Sequence, residues 1–125
     1  MNALSPKFTH VPIFTGYMRI VERHFATSPQ RLRILDLPAG NGLLSDALRK
    51  VGHEVVSADI NRERPEFVYV DMGNPLPFRD AEFDAVVCLE GLEHIVDPTA
   101  LINELVRVTK PGATLVVSTP NIMNF

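Results

Sequence analysis

A three-layer α/β domain with a mainly parallel sheet is the fold class this sequence predicts, on three observations. Short runs rich in β-branched and apolar residues occur five times, as RLRILDL, HEVVSADI, EFVYVDM, FDAVVCLEG and TLVVSTP. Stretches with apolar residues at helical spacing lie before the first run, between the first and second, and between the fourth and fifth. Strands that alternate with helices pair in parallel through right-handed crossovers, which puts helices on both faces of the sheet. At 125 residues, 46% of them hydrophobic, the chain is sized for one domain with a buried core, residues 1–30 being a lead-in and helix and 31–125 the core.

Tyr17, Ile20, Val21, His24 and Phe25 fall at helical spacing and predict an amphipathic helix over about residues 15–26, ended by Ser28 and Pro29. His24 lies on that stripe and is expected to be partly buried, whereas His10 and His53 read as loop or surface residues. After the first strand, Leu43, Leu44, Ala47, Leu48 and Val51 form a second helical stripe, and Gly52 supplies its C-terminal cap. Two strands follow. The GNPLPFRDAEFD segment then carries two prolines, which exclude a helix interior, and leads into the fourth strand. Asp97 and Pro98 make a helix start, with Leu101, Ile102, Leu105 and Val106 as the buried face and KPGA as the stop before the fifth strand.

The net charge of −3 and the lack of basic clusters exclude an electrostatic footprint for nucleic acid or an anionic membrane. A small neutral or cationic ligand fits better. Cys88, the sole cysteine, lies in an apolar run and reads as a core thiol, which leaves no intrachain disulfide and agrees with a reduced, cytoplasmic setting. The N-terminus shows no charged leader with an apolar stretch, and no segment reaches about 18 consecutive apolar residues, so a soluble, unexported protein is expected.

In a parallel sheet of this kind ligands bind beyond the carboxyl ends of the strands. Three predicted strands end at acids, Asp36, Asp59 and Asp71, and parallel pairing brings them to one edge beside a loop containing Gly40 and Gly42. Each acid alone reads as a cap or turn aspartate. The loop is a degenerate G-x-G-x-x-G, with Ser45 in the third glycine position and Asp59 at the distance of a ribose-binding acid. That pattern permits a dinucleotide and an NAD-dependent oxidoreductase. A pyrophosphate, however, would be repelled by Asp36 and Asp71, whereas a cationic nucleoside without phosphate would be attracted.

From residue 32 to 121 the motifs resemble the class I S-adenosylmethionine-dependent methyltransferases, in particular the small-molecule enzymes with an EH motif after the fourth strand. ILDLPAGNG, VVSADI, VDMGNPLPF, FDAVVCLEGLEHIVDP and LVRVTKPGATLVVSTPN follow the family's motif order. The resemblance implies a Rossmann-like fold with strand order 3-2-1-4-5, and S-adenosylmethionine as cofactor with S-adenosylhomocysteine as product. It also implies roles. Asp36 would face the methionine ammonium; Ala39, Gly40 and Gly42 would line the cofactor loop; Asp59, with Ile60 beside it, would take the ribose hydroxyls. Asp71 and Met72 would read the adenine edge, and Leu89 and Glu90 would lie near the sulfonium. Pro38 departs from the pattern, standing where the family has its first glycine and removing one backbone N–H.

His94 is the catalytic candidate, as a general base or a substrate contact. No metal is assigned. The alternative is a divalent cation on Glu90, Glu93 and His94, which share a face if the chain turns helical there; their spelling is similar to that of ubiquinone-biosynthesis O-methyltransferases and small-RNA 2′-O-methyltransferases. The family's antiparallel strands 6 and 7 find no counterpart, so the resemblance implies a domain truncated after the fifth strand. That strand would stand at the sheet edge despite its apolar run, which predicts self-association into a homo-oligomer through it. The rival reading from another class is a non-catalytic binding or interaction module. The methyl acceptor is expected to be a small molecule, with neither nucleic acid nor membrane as partner.

Overall fold

The computed structural model describes residues 16–118. His10 and the end of the TLVVSTP run lie outside the described residues. The elements follow the order α1 (Gly16–Ala26), β1 (Arg33–Asp36), α2 (Leu43–Lys50), β2 (Glu54–Asp59), β3 (Val68–Tyr69), β4 (Phe83–Leu89), α3 (Pro98–Val108) and β5 (Thr109–Ser118), with a 3-10 turn over Leu92–His94. The strands form one sheet in the order β3-β2-β1-β4-β5. Every neighbouring pair is parallel. The predicted topology is therefore present, as a Rossmann-like sandwich of the type implied by the motif order.

Side chains that alternate across β1 and β4 feed two cores. Ile34, Ala85 and Val87 pack on one face with Val21 and Phe25 of α1 and Leu44 and Leu48 of α2. Leu35, Val86 and Cys88 pack on the other with Leu101, Leu105 and Val108 of α3. Burial on both faces explains why β1 and β4 read as near-continuous apolar runs. Cys88 is fully buried, and desolvation pushes its thiol up to about 12, as befits a core residue.

The helix ends follow their predicted chemistry. Gly52 takes a positive φ of 107° just past α2, and its N–H donates to the Arg49 carbonyl at 3.0 Å. The Asp97 carboxylate accepts the Ala100 N–H at 3.1 Å, with Pro98 in the first turn of α3.

Four expectations need correction. On α3, Leu101, Leu105 and Val108 are buried while Ile102 and Val106 are 38% and 56% exposed, because the row at spacings of four and three faces the sheet and its neighbour row turns outward. KPGA does not separate α3 from β5. The strand begins at Thr109, and the pairs Phe83 with Thr109 and Ala85 with Thr114 show that residues 110–113 are taken up as an irregularity, the regular ladder resuming at Thr114. His24 is exposed, since only Val21 and Phe25 of the first helical stripe reach the core.

His53 is no surface residue. It is buried, its Nδ1 accepts the Leu32 N–H at 3.0 Å, and its Nε2 lies 2.8 Å from the Phe25 carbonyl. Acceptance at Nδ1 leaves Nε2 to carry the proton and donate to that carbonyl. The turn at Gly52 is what swings the ring beneath α1.

At the sheet's outer side β5 pairs only with β4 among the described residues. No described helix is long and apolar enough to cross a membrane.

Candidate functional site

The carboxyl ends of β1 and β2 are adjacent in register, Asp36 opposite Ser57 and Asp59 opposite Tyr69 of β3. Between them the glycine loop folds back. The Ala39 N–H donates to the Ala58 carbonyl at 2.9 Å, and the Gly40 N–H donates to Asp59 Oδ2 at 2.8 Å. Asp59 Oδ1 accepts the Asn61 N–H at 3.0 Å, and the Asn61 amide donates to the Gly40 carbonyl at 3.2 Å. Asp59 is thus a buried acceptor with a remaining lone pair on each oxygen for an outside donor. Gly40, with φ 61°, needs its left-handed backbone, and a side chain there would meet nothing within 4 Å, so the loop's open side faces free space.

Asp36 is held differently. It is buried, and the Ser45 hydroxyl donates to its Oδ2 at 2.6 Å; the Ser57 hydroxyl donates to Ser45 at 2.7 Å, and Arg49 donates to Ser57 at 2.9 Å. Burial pushes the Asp36 carboxyl up to about 7, against the Ser45 hydrogen bond and the Arg49 charge, which favour ionisation. Asp71 orders the turn after β3 by accepting the Gly73 N–H at 2.8 Å.

A crevice of about 210 Å³ opens between these strand ends, lined by Leu37, Pro38, Asp59, Ile60, Val70, Asp71, Met72, His94 and Ile95. It brings together Asp59, Ile60, Asp71, Met72 and His94 of the sequence candidates. Asp36, Ala39, Gly40, Gly42, Leu89 and Glu90 are not on its wall. Pro38 is: its ring packs on Gly91, where an added Cβ would lie 2.9 Å from Pro38 Cδ. The wall is apolar apart from Asp59, Asp71 and His94 and carries no lysine or arginine, which suits a flat base and a diol better than a phosphate. A second, open cavity of about 760 Å³ adjoins it and shares Asp71, Met72, His94 and Ile95.

At the exit of β4, Glu90 is exposed with φ 58°, and its N–H donates to the Ser118 hydroxyl at 3.0 Å and the Ser118 carbonyl at 3.3 Å. This left-handed residue breaks any continuous helix from 90 to 94, so the common helical face required by the metal alternative does not form. Among the described residues no group of three or more His, Cys, Asp or Glu side chains is placed to hold a metal. The His94 imidazole is 74% exposed, 3.5 Å from the Glu93 carboxylate, and sits with Asp71 and Met72 rather than with Glu90.

The sequence did not single out Asn61, Ser57, Arg49 or Arg64. Ser45 in a glycine position, with Arg49 one turn further along the same helix, was a readable sign of a polar contact behind the loop. Arg64 gave none, because its contacts to Asn41 and Asp46 span 23 and 18 residues.

A parallel sheet in the order β3-β2-β1-β4-β5, whose strand-end carboxylate holds a glycine loop beside an apolar crevice, defines a Rossmann-like α/β domain. A family model described as a methyltransferase domain matches residues 10–123, and the chain belongs to that family. A demethylmenaquinone methyltransferase of Clavibacter sepedonicus is 42% identical over 72% of this chain and 43% of its own length. A ubiquinone biosynthesis O-methyltransferase of Xanthomonas axonopodis pv. citri (strain 306) is 36% identical over 74% of this chain and 45% of its own. The chain therefore spans less than half the length of these relatives. Among solved structures, the Burkholderia thailandensis 1,6-didemethyltoxoflavin-N1-methyltransferase, with 1,6-didemethyltoxoflavin and S-adenosylhomocysteine bound, aligns at a TM-score of 0.71 and 18% identity, covering 89% of this chain and 53% of that one.

Proposed function

We propose that this chain is the cofactor-binding part of an S-adenosylmethionine-dependent methyltransferase acting on an O, N or C nucleophile of a small molecule. One observation carries the reading: the crevice offers two acceptor carboxylates, Asp59 and Asp71, and no cation on its wall. Acceptors suit ribose hydroxyls and an exocyclic amine, and the missing counter-charge disfavours a dinucleotide pyrophosphate. Asp59 takes the ribose diol on its free lone pairs, Ile60 and Met72 flank the base, and Asp71 and the Met72 backbone read its edge. The Gly40–Gly42 loop receives the amino-acid end. Asp36, charged when its proton leaves, faces the ammonium from behind that loop.

When bound, the cofactor supplies an electrophilic methyl on sulfur. The chain's own task is to align the nucleophile with the methyl–sulfur bond and, where needed, to take the nucleophile's proton. Leu89 and Glu90 border that position, and the exposed His94 imidazole is the candidate proton acceptor. The likeness to a demethylmenaquinone methyltransferase and a ubiquinone biosynthesis O-methyltransferase supports a small-molecule acceptor. Among the described residues β5 pairs only with β4, which supports self-association through that strand, and the buried Cys88 thiol is in keeping with a cytoplasmic setting.

Calorimetry with S-adenosylmethionine, S-adenosylhomocysteine and NAD tests the reading. Binding of the two methyl-cycle ligands without NAD is the expected result. A folded sample that binds none of the three would leave a non-catalytic module as the better reading, and NAD binding alone would favour an oxidoreductase. Light scattering at high micromolar concentration checks the edge: a clean monomer defeats self-association.

A further inference from the structure

Arg64, in the segment after β2, reaches back over the glycine loop. Its Nη2 donates to the Asn41 carbonyl at 2.8 Å. The same guanidinium pairs with Asp46 in the first turn of α2, at 2.8 Å from Nη1 to Oδ1 and 3.0 Å from Nη2 to Oδ2. It also fills the space that a side chain at residue 42 would need: a Cβ added to Gly42 would lie 2.5 Å from Arg64 Cζ and 2.7 Å from Nε. The close approach that Gly42 permits is therefore to Arg64, with φ 84° as a second reason for glycine.

The Arg64–Asp46 pair alone would count for little, because the two side chains are 30% and 49% exposed and such pairs are screened by water. What distinguishes it is the backbone it grips. Asp59 holds the Gly40 N–H, Asn61 the Gly40 carbonyl and Arg64 the Asn41 carbonyl, so three residues from the exit of β2 fix three consecutive peptides of the loop. Asp59 and Asn61 fasten the side of the loop nearest the crevice. Arg64 alone of the three bridges onward to Gly42 and the start of α2.

We infer that Arg64 is a positioning residue: it locks the Asn41–Gly42 part of the loop in the shape that receives the amino-acid end of the cofactor. The inference rests on the proposed reading of the site. It assigns Arg64 no contact with the nucleoside, whose ribose and base meet Asp59, Asp71 and Met72. A fork-shaped guanidinium lying flat over a glycine while bonding a carbonyl and a carboxylate is not reproduced by an ammonium.

The test compares S-adenosylhomocysteine with adenosine, which lacks the amino-acid end, by equilibrium binding to the 125-residue chain. Arg64→Ala is expected to weaken S-adenosylhomocysteine by roughly tenfold to a hundredfold, the range for a lost hydrogen bond to a charged group, and adenosine by less than about threefold. Arg64→Lys is expected to recover little of the difference, and Asp46→Ala, which leaves the Asn41 contact in place, to show a smaller loss. An unchanged ratio of the two affinities in a folded Arg64→Ala variant overturns the inference. Should that variant fail to fold, Arg64→Gln, which keeps the stem and one donor, carries the same comparison. Wild-type protein that binds neither ligand defeats the reading of the site itself, which keeps the two failures apart.

Discussion

At the ends of β1, β2 and β3 the polar groups are tied to one another. Asp59 and Asn61 hold Gly40, Ser45 and Ser57 link Asp36 to Arg49, and Asp71 closes its own turn. At the ends of β4 and β5 such ties are fewer among the described residues. Glu90 is exposed in a left-handed conformation, His94 points into solvent, and β5 has one free edge among the described residues. The proposed nucleoside side is thus braced from within the chain, and a geometry that exists before any ligand arrives lowers the ordering cost of binding. Among the described residues the proposed transfer side has no comparable network. The relatives are more than twice as long as the aligned portion, and the proposal for this stretch is accordingly cofactor binding.

The largest expected effect comes from the most buried part of the braced side. Asp36 has a folded-state value of about 7 against an ordinary carboxylate value of 3.8, so the folded protein holds this proton more tightly than the unfolded chain. Between about pH 4 and 7 the unfolded state has lost the proton and the folded state has not. Stability therefore falls as pH rises through that window, by an amount on the order of 4 kcal/mol if the whole shift is realised. The groups facing Asp36 are Ser45 and Arg49 of α2, Asp59 of β2 and Cys88 of β4, and none reverses the sign. Asp36→Asn is expected to flatten the decline and to raise the melting temperature at pH 8 while weakening cofactor binding. Denaturant titrations from pH 5 to 8 check this, and equal slopes in the two proteins would mean that Asp36 is ionised throughout.

Removing the brace that is also the proposed ribose acceptor comes next. Asp59→Ala leaves the Gly40 and Asn61 N–H groups without their carboxylate and removes the proposed diol acceptor, so cofactor affinity should fall by about 1–3 kcal/mol. Calorimetry with S-adenosylhomocysteine measures it. Unchanged affinity would show that the bonded geometry at β2 is structural only, and the contrast between the two sides would lose its functional content.

What the sequence disclosed follows the same division. Strand-end acids at Asp36 and Asp59, the Asp97 cap and the Gly52 turn could be read because each depends on local order, an apolar run that stops or a helix that starts, whereas the EFVYVDM run forms a strand only over Val68–Tyr69 and leaves Asp71 in the turn beyond it. The sheet order was implied by motif order, not by spacing. Contacts that join distant segments left no local trace. His53 looked like a loop residue because its partners, Leu32 and Phe25, lie 21 and 28 residues away, and Arg64 was invisible for the same reason. Ile102 and Val106 cannot be told from the buried row by residue type, because an apolar residue one step around a helix from that row is still apolar when exposed. Glu90 was placed correctly at the exit of β4, but the helical spacing drawn from it failed, since nothing in EGLEH announces a left-handed glutamate.

That glutamate gives the smallest and sharpest test of the open side. A left-handed backbone costs a residue with a Cβ on the order of 1–2 kcal/mol, and glycine returns about 0.5–1 kcal/mol of that through its greater freedom in the unfolded chain. Glu90→Gly is therefore expected to stabilise the fold by about 0.5–1 kcal/mol, read as a small rise in melting temperature. The Ser118 hydroxyl and carbonyl, which take the Glu90 N–H, hold the strained residue in place and would hold glycine equally well. A gain of this size means that the chain tolerates strain at the end of β4 which it could shed by a single substitution, the pattern of a position kept for what its side chain does. A loss of stability would mean that the Glu90 side chain supports the fold, and the open side would then be braced after all, by a contact other than the two to Ser118.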